Sequence, residues 1–430
     1  MKSRCAERVD DRSDGRNRTA TVALQTEIDA RHARGGGRVR IAPGVHVIGT
    51  LYLRDQVVLD LEPGAVLQAS ARKADYRDPH LIVAAGCRQV GIVGQGIIDG
   101  NAQAFFEPDV TRPAGFRKKE WAPQPLLEFV DCHNVMIEGI TIRQAPRWTL
   151  HLRRCAGATI RGIAIHNDPR HANTDGIDIN SSRNIRIADC DLVCGDDCIV
   201  LKTAGPPAAA RPLENVTVTN CTMVSSTSAL KLGTESFAPF RHCVFSNCVI
   251  RNSRTGIALL CKDGGTMEAV HFDNITIETR PKHGIGHSWP IILDSEKRYP
   301  DSKPGVIRDV TLRGIMLHTA GRVLVQGQPT APIENLLLDN ITLRFTGYEK
   351  IAGARKLQGG RRANPEVLDL GDKPAALIFA HIHGLRLRHV QIIWPPATAR
   401  AAPHRAALYS ESVTSADYGG LEGQSNGGKE

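Results

Sequence analysis

Short runs in which apolar and polar residues alternate recur along most of this chain, and they come in pairs. Asn134-Val135-Met136-Ile137-Glu138-Gly139-Ile140-Thr141-Ile142 is matched by Gly157 to Ile165, by Asn184 to Leu192 and by Asn215 to Met223. Further copies start at His242, Ala269, Asp309, Asn335 and Gly384. A period of two over a few residues is that of a half-buried strand, and the small or polar residue between the two segments reads as a corner. Starting positions lie 23 to 31 residues apart through the middle of the chain, with longer gaps later that imply inserted loops. Strand units at that period predict a solenoid; the ~40–45-residue blades of a propeller fit the central spacing poorly.

The ends depart from this pattern. Residues 1–21 are polar and charged and read as a loose segment. Val22 to His32 predicts a helix that stops at Gly35-Gly36-Gly37. Such a helix would cover the open edge of the first coil. Strands are expected at Arg38–Ile41, Val45–Ile48, Leu51–Leu53, Val57–Leu61 and Ala65–Gln68, divided by Pro43-Gly44 and Pro63-Gly64. The stretch Phe105–Pro123 and the loops near Lys282–Ser288 and Glu349–Pro365 interrupt the repeat and are expected to wall a groove. The solenoid is assigned to residues 22–396. Residues 397–430, rich in Ala, Ser and Gly, read as a mostly disordered tail. The predicted fold is all-β: a single-stranded right-handed parallel β-helix with an N-terminal capping helix.

Length supports this, because 430 residues without an internal linker is long for one compact core, whereas a solenoid has no such limit. No apolar run is long enough to cross a bilayer, so no membrane partner is expected. The first residues lack the apolar core of a secretory signal. The expectation is a cytoplasmic protein, or an extracellular or periplasmic one if a leader is missing. The net charge of +9 would suit an acidic polymer. The arginines, however, are scattered without interleaved aromatics, which argues against nucleic acid. A monomer is expected. Of eleven cysteines, Cys190, Cys194 and Cys198 form a spacing that fits neither zinc nor a redox pair and reads as small apolar stacks. A Cys198–Cys221 bridge is conceivable only in an oxidising compartment.

Candidate chemistry sits on two consecutive repeats. Asn173-Thr174-Asp175-Gly176 is followed one repeat later by Gly195-Asp196-Asp197-Cys198. Coils stack ~4.7–4.9 Å apart, so the three carboxylates should face one groove. Acidic clusters of this kind serve glycosidases, one acid for the leaving oxygen and one base for water. Adjacent Asp196 and Asp197 would ordinarily point to opposite faces of a strand, so the backbone must bend there, and Gly195 is the residue expected to permit it. No metal or cofactor is called for by this set.

Gly35-Gly36-Gly37, Pro43-Gly44, Gly64 to Leu67, Gly94 to Gly100, Pro146-Arg147-Trp148, the Asn173–Asp178 run and the Gly195–Cys198 run occur in order. Together they resemble glycoside hydrolase family 28, the polygalacturonase family, over roughly residues 20–345. The resemblance implies an inverting hydrolase of an α-linked sugar in a pectin-like polysaccharide or oligosaccharide. Asp196 would be the general acid, with Asp175 and Asp197 activating water. Asn173 and Asp178 would buttress the site, and Lys202 matches a basic residue of the pattern.

Two family motifs are missing. Ser228 stands where a Gly-His-Gly histidine is expected, and Ala258 and Leu260 stand where an Arg-Ile-Lys pair is expected. The absent cations would hold a uronate carboxylate, which predicts a neutral or differently decorated sugar. Lys231 and Glu235 are candidates for recognition, or else pair with each other. Trp148 is expected near the groove floor and Trp289 in a loop offering a sugar platform. His287, Arg298 and Arg254 are groove candidates by position. A β-helix polysaccharide lyase, which would need a Ca²⁺ cluster and a basic residue, and a non-catalytic carbohydrate-binding solenoid are the alternatives.

Overall fold

The computed structural model describes residues 13–205, 209–283, 287–299, 301–347, 349, 375–395 and 406–422, with side chains from Ala20 onward. Thirty-one strands form one continuous parallel array, and the Phe106–Pro108 and Phe116–Lys118 strands form a separate antiparallel pair. Each strand pairs with its counterpart one coil later, as Leu150–Arg153 does with Ile177–Asn180 and Ile177–Asn180 with Ile199–Thr203. This is a parallel β-helix.

The period-two pattern becomes inward stacks. Leu150, Ile177, Ile199, Leu230, Ile257 and Ile291 succeed one another in register, and all are fully buried. Burying each such side chain stabilises the fold by about 1.5–3 kcal/mol. Phe245 and Phe272 stack with ring centroids 4.7 Å apart. The outward positions of the same sheet run Glu128, His151, Asp178, Val200, Lys231, Ala258, Ile292 and Leu324.

The residues that open each repeat explain themselves through the backbone. Asn134, Gly157, Asn184, Asn215, His242, Ala269, Asp309, Asn335 and Gly384 all have positive φ, between 53° and 79°. Asn and Gly tolerate this left-handed conformation best. Several side chains also bond across coils: Asn215 Nδ2 donates to Asn184 Oδ1 at 3.0 Å, and Asn335 Nδ2 to Asp309 Oδ1 at 3.0 Å.

The helix runs from Ser13 to Ala33, longer than expected, and takes in part of the segment read as loose. It buries Ile28. Gln25 covers the edge of the first coil, its Nε2 donating to Tyr52 O at 3.0 Å and its Oε1 accepting from Tyr52 N–H at 2.8 Å. The amide thus replaces a missing strand. At the other end, Ala406–Thr414 and Leu421–Glu422 are strands paired in parallel with Ala375–Ile393. That part of the expected disordered tail is a further coil. It was missed because its exposed, polar residues lack the strong alternation of the central repeats. Residues 396–405 and most of Glu349–Pro365 lie outside the described residues. No helix is long and apolar enough to cross a membrane among those described.

All ten described cysteines are free and buried. Cys190, Cys221 and Cys248 form a ladder of thiol contacts up one corner, and Cys87, Cys132 and Cys155 up another. Cys198 faces Cys194 inside the coil, and no Cys198–Cys221 bridge is formed.

Candidate active site

The groove floor is set by a loop and a bend on neighbouring coils. Asn167 holds the loop through Thr149 Oγ1 at 2.8 Å and Thr174 O at 3.3 Å. Thr174, fully buried, donates to His171 O and accepts from Gly195 N–H at 3.0 Å. Gly176 N–H donates to Asp197 O at 2.9 Å, which seats Asp175 one coil from Asp197. Gly195 is needed for space rather than for φ: a Cβ there would lie 2.1 Å from His171 O. The strand before it ends at Cys194 and the next begins at Ile199, so the Asp pair occupies the bend between them.

Asp175, Asp196 and Asp197 each offer an oxygen within 4.8 Å of the others. This is closer than the ~6.5–9.5 Å separation expected for an inverting pair. The cause is coil stacking, which brings adjacent side chains to about the strand spacing. Asp175 and Asp197 are buried, whereas Asp196 is half-buried and lines a cavity of ≈ 510 Å³.

Two lysines balance the cluster from below and above. Lys231 Nζ lies 2.8 Å from Asp197 Oδ2. Lys202 Nζ lies 2.6 Å from Asp178 Oδ1 and 3.7 Å from Asp175 Oδ2, and 3.9 Å from the centroid of the Trp148 ring. Both lysines are buried, so they hold carboxylates instead of presenting free ammonium groups to the groove. Asp197 also accepts from the Thr227 hydroxyl at 2.8 Å and from Ser228 N–H at 3.2 Å. Burial opposes its charge, but Lys231, Lys202 and the Thr227 hydroxyl hold its carboxyl below the usual range. Asp196 is pushed up by burial and by the charge of Asp197. Burial, Asp178 and Asp196 raise Asp175 as well. The cluster therefore retains a proton where isolated carboxylates would have lost it.

Asp196 is positioned by three groups. Asn173 Nδ2 donates to its Oδ2 at 3.2 Å, the Thr227 hydroxyl reaches its Oδ1 at 2.8 Å, and Ser225 Oγ donates to its backbone carbonyl at 2.7 Å. Asn173, at φ 59°, takes a hydrogen bond from Lys118 of the Phe106–Lys118 hairpin. That hairpin walls the cavity, with Phe106 stacked on His171 at 3.9 Å and Arg170 lying 4.8 Å from the Phe116 centroid. His283 closes the same cavity and bonds Pro169 O at 2.9 Å.

Other candidates lie elsewhere. Glu235 pairs with Arg298 at 3.1 Å, and Arg298 also reaches Asp263 at 3.4 Å, so no Lys231–Glu235 pair forms. Trp289 is on a strand, 6% exposed, packed with Ala258, Ile292, Leu324, Ala375 and Ile378. It is core rather than a sugar platform, because this coil carries apolar residues on its outward as well as its inward face. Ala258 is 1% exposed in the same cluster. Position 258 is therefore covered by packing, while Leu260 is half-buried against the same cluster. His287 lies against Trp289 with centroids 5.6 Å apart. Thr227, Thr174 and Lys118 escaped sequence reasoning. Thr227 directly precedes Ser228, the one clue available, whereas Lys118 arrives from a distant insertion.

Fold and site together define a glycosidase built on a parallel β-helix. The family model for glycosyl hydrolases family 28 matches residues 48–358, and the chain belongs to that family. A probable polygalacturonase of Vitis vinifera is 24% identical over 351 residues, covering 76% of this chain and 70% of its own length. Among solved structures, a family 28 exopolygalacturonase of Yersinia enterocolitica has a TM-score of 0.69 at 17% identity, covering 93% of this chain and 76% of its own. A hyperthermoactive exopolygalacturonase of Thermotoga maritima has a TM-score of 0.63 at 21% identity, covering 76% and 83%. These structures share the fold.

Proposed function

We propose that the protein hydrolyses an α-linked sugar in a pectin-like polysaccharide or oligosaccharide with inversion, Asp196 giving a proton to the leaving oxygen while Asp175 and Asp197 activate water. The observation that carries this is the unequal treatment of neighbouring carboxyls. Asp196 faces the cavity and is pushed up; Asp197 is buried on Lys231 and held down. An acid must keep its proton and a base must lose it, and divergent environments are how one site does both. Burial and the charge of Asp178 raise Asp175; a proton on Asp196 removes one further charge that raises it, and Lys202 acts in the same favourable direction.

Inversion is read from the motif resemblance, not from the oxygen separations. On this reading the protein works as a monomer on carbohydrate alone, with neither nucleic acid nor membrane as partner. Reducing-end release on a panel of plant and microbial polysaccharides tests the activity, and proton NMR of the first-formed product tests the stereochemistry. No release from any α-linked uronate or neutral pectic glycan would refute the hydrolase; a product retaining its anomeric configuration would refute the mechanism.

A further inference from the structure

Arg254 stands out among the cations around the cluster. Lys231 and Lys202 are paired with carboxylates, Arg170 with Asp168 and Arg298 with Glu235. Arg254 makes no side-chain hydrogen bond or ion pair among the described residues, and its Nε is buried without a partner. Its backbone places it one coil from the residues that hold the acids. Arg254 N–H donates to Ser225 O at 3.2 Å and Thr255 N–H to Thr227 O at 2.7 Å. Ser225 holds the Asp196 carbonyl, and Thr227 contacts both Asp196 and Asp197.

We propose that Arg254 is a specificity-determining residue of this site, recognising the acidic group of a sugar bound against Asp196 in place of the cations absent at positions 258 and 260. The inference rests on the glycosidase reading above and adds the residue that selects the substrate. A half-buried guanidinium without an anion is costly to keep, and its fork suits a carboxylate in two-point contact. Asp197 does not need it, because Lys231 already lies 2.8 Å away. Burial lowers the pKa of Arg254, and the charges of Asp197 and Asp196 act against that shift. Lys118, bonded to Asn173 on the hairpin, supplies positive charge from the other wall. The sequence expectation of a neutral sugar followed from strand positions 258 and 260 alone. The cation has instead moved to the corner that precedes the strand.

The test compares digalacturonate with its carboxyl-reduced, neutral counterpart. Binding is measured by calorimetry in an Asp196→Asn background, and kcat/KM in the natural background. Arg254→Gln is expected to weaken digalacturonate binding about 10- to 100-fold, the size of a lost charged hydrogen bond, and to leave the neutral sugar unchanged. Arg254→Lys should recover part of the loss. Should the glutamine variant fail to fold, judged by its melting transition, the lysine variant still has to shift the acidic-to-neutral ratio. An unchanged ratio in a folded variant overturns the proposal. So does an equal loss for both sugars, which a purely structural role or a general electrostatic effect on the acids would produce. Arg254-dependent binding without any turnover by the natural protein would sink the hydrolase reading and leave this one standing.

Discussion

Lys231 and Asp197 form a buried ion pair at 2.8 Å one coil apart, and the neighbouring Asp196 has no such partner among the described residues. The pair divides two adjacent, chemically identical side chains into an ion and an acid. Lys231→Met should leave Asp197 buried without its cation. Breaking such a pair from one side typically costs about 3–5 kcal/mol, so a lowered melting temperature and loss of most activity are expected. The pH dependence has a definite sign. The folded pKa of Asp197 is depressed, so its contribution to stability is present above the ordinary carboxylate range and is lost as pH falls through its folded value. Melting curves from pH 7 downward should show this acid loss in the natural protein and a smaller one in Lys231→Met.

Asp196→Asn should abolish turnover of unactivated substrate while sparing the fold. An activated aryl glycoside, which needs little protonation, should lose less. The Asp196 pKa is raised, so the natural rate should fall on the alkaline side as this proton is lost. With the activated substrate, the asparagine variant should lack that limb. Near-natural rates on the unactivated substrate would remove Asp196 from its role.

Gly195→Ala would set a methyl group 2.1 Å from the His171 carbonyl, with Thr174 Oγ1 at 2.6 Å. Backbone must move, and overpacking of this sort costs about 1–3 kcal/mol or more. Because the same bend carries Asp196 and Asp197, activity should drop further than the melting temperature implies. Equal activity per folded molecule would contradict this.

Ala258→Arg, the substitution that the missing motif suggests, should not build a substrate clamp. The site is 1% exposed against Trp289 and Ile292. A guanidinium there overfills an apolar cluster and is buried without a partner. Thermal unfolding at a lower temperature, with no gain in affinity for digalacturonate, is the expected result.

Gln25→Leu should expose what the capping amide does. Tyr52 would lose partners for both its N–H and its C=O. The penalty is about 1–3 kcal/mol for each group left buried and unsatisfied, less where water replaces the amide. Hydrogen exchange should speed first in the coil containing Tyr52.

The coil architecture was legible because the period-two pattern and the left-handed corner residues repeat together, as at Asn184, Asn215 and Asn335. Asp175, Asp196 and Asp197 were legible because their spacing equals one coil. Contacts between coils and insertions were not. Nothing local in the sequence says that Lys231 would turn to Asp197 rather than Glu235, since both are within reach along the chain. Trp289 reads from the sequence as a loop residue, yet it lies on a strand whose outward face is packed like a core. Lys118 joins the site only because its hairpin folds back over Asn173, more than two coils away in sequence.

The left-handed corners have a consequence for how such a chain can change length. Asp309 and Asn335 occupy equivalent corners and bond to each other, and Arg308 is in register with Glu334. Excising residues 309–334 would bring Asn335 to the place Asp309 held, with inward and outward positions unaltered. Removing a single residue from within a strand of the same stretch would turn the rest of that strand to the wrong face. Whole coils can therefore be gained or lost without disturbing the stacks, and single-residue changes are confined to the loops, where the 23- to 31-residue spacing of the repeats already varies.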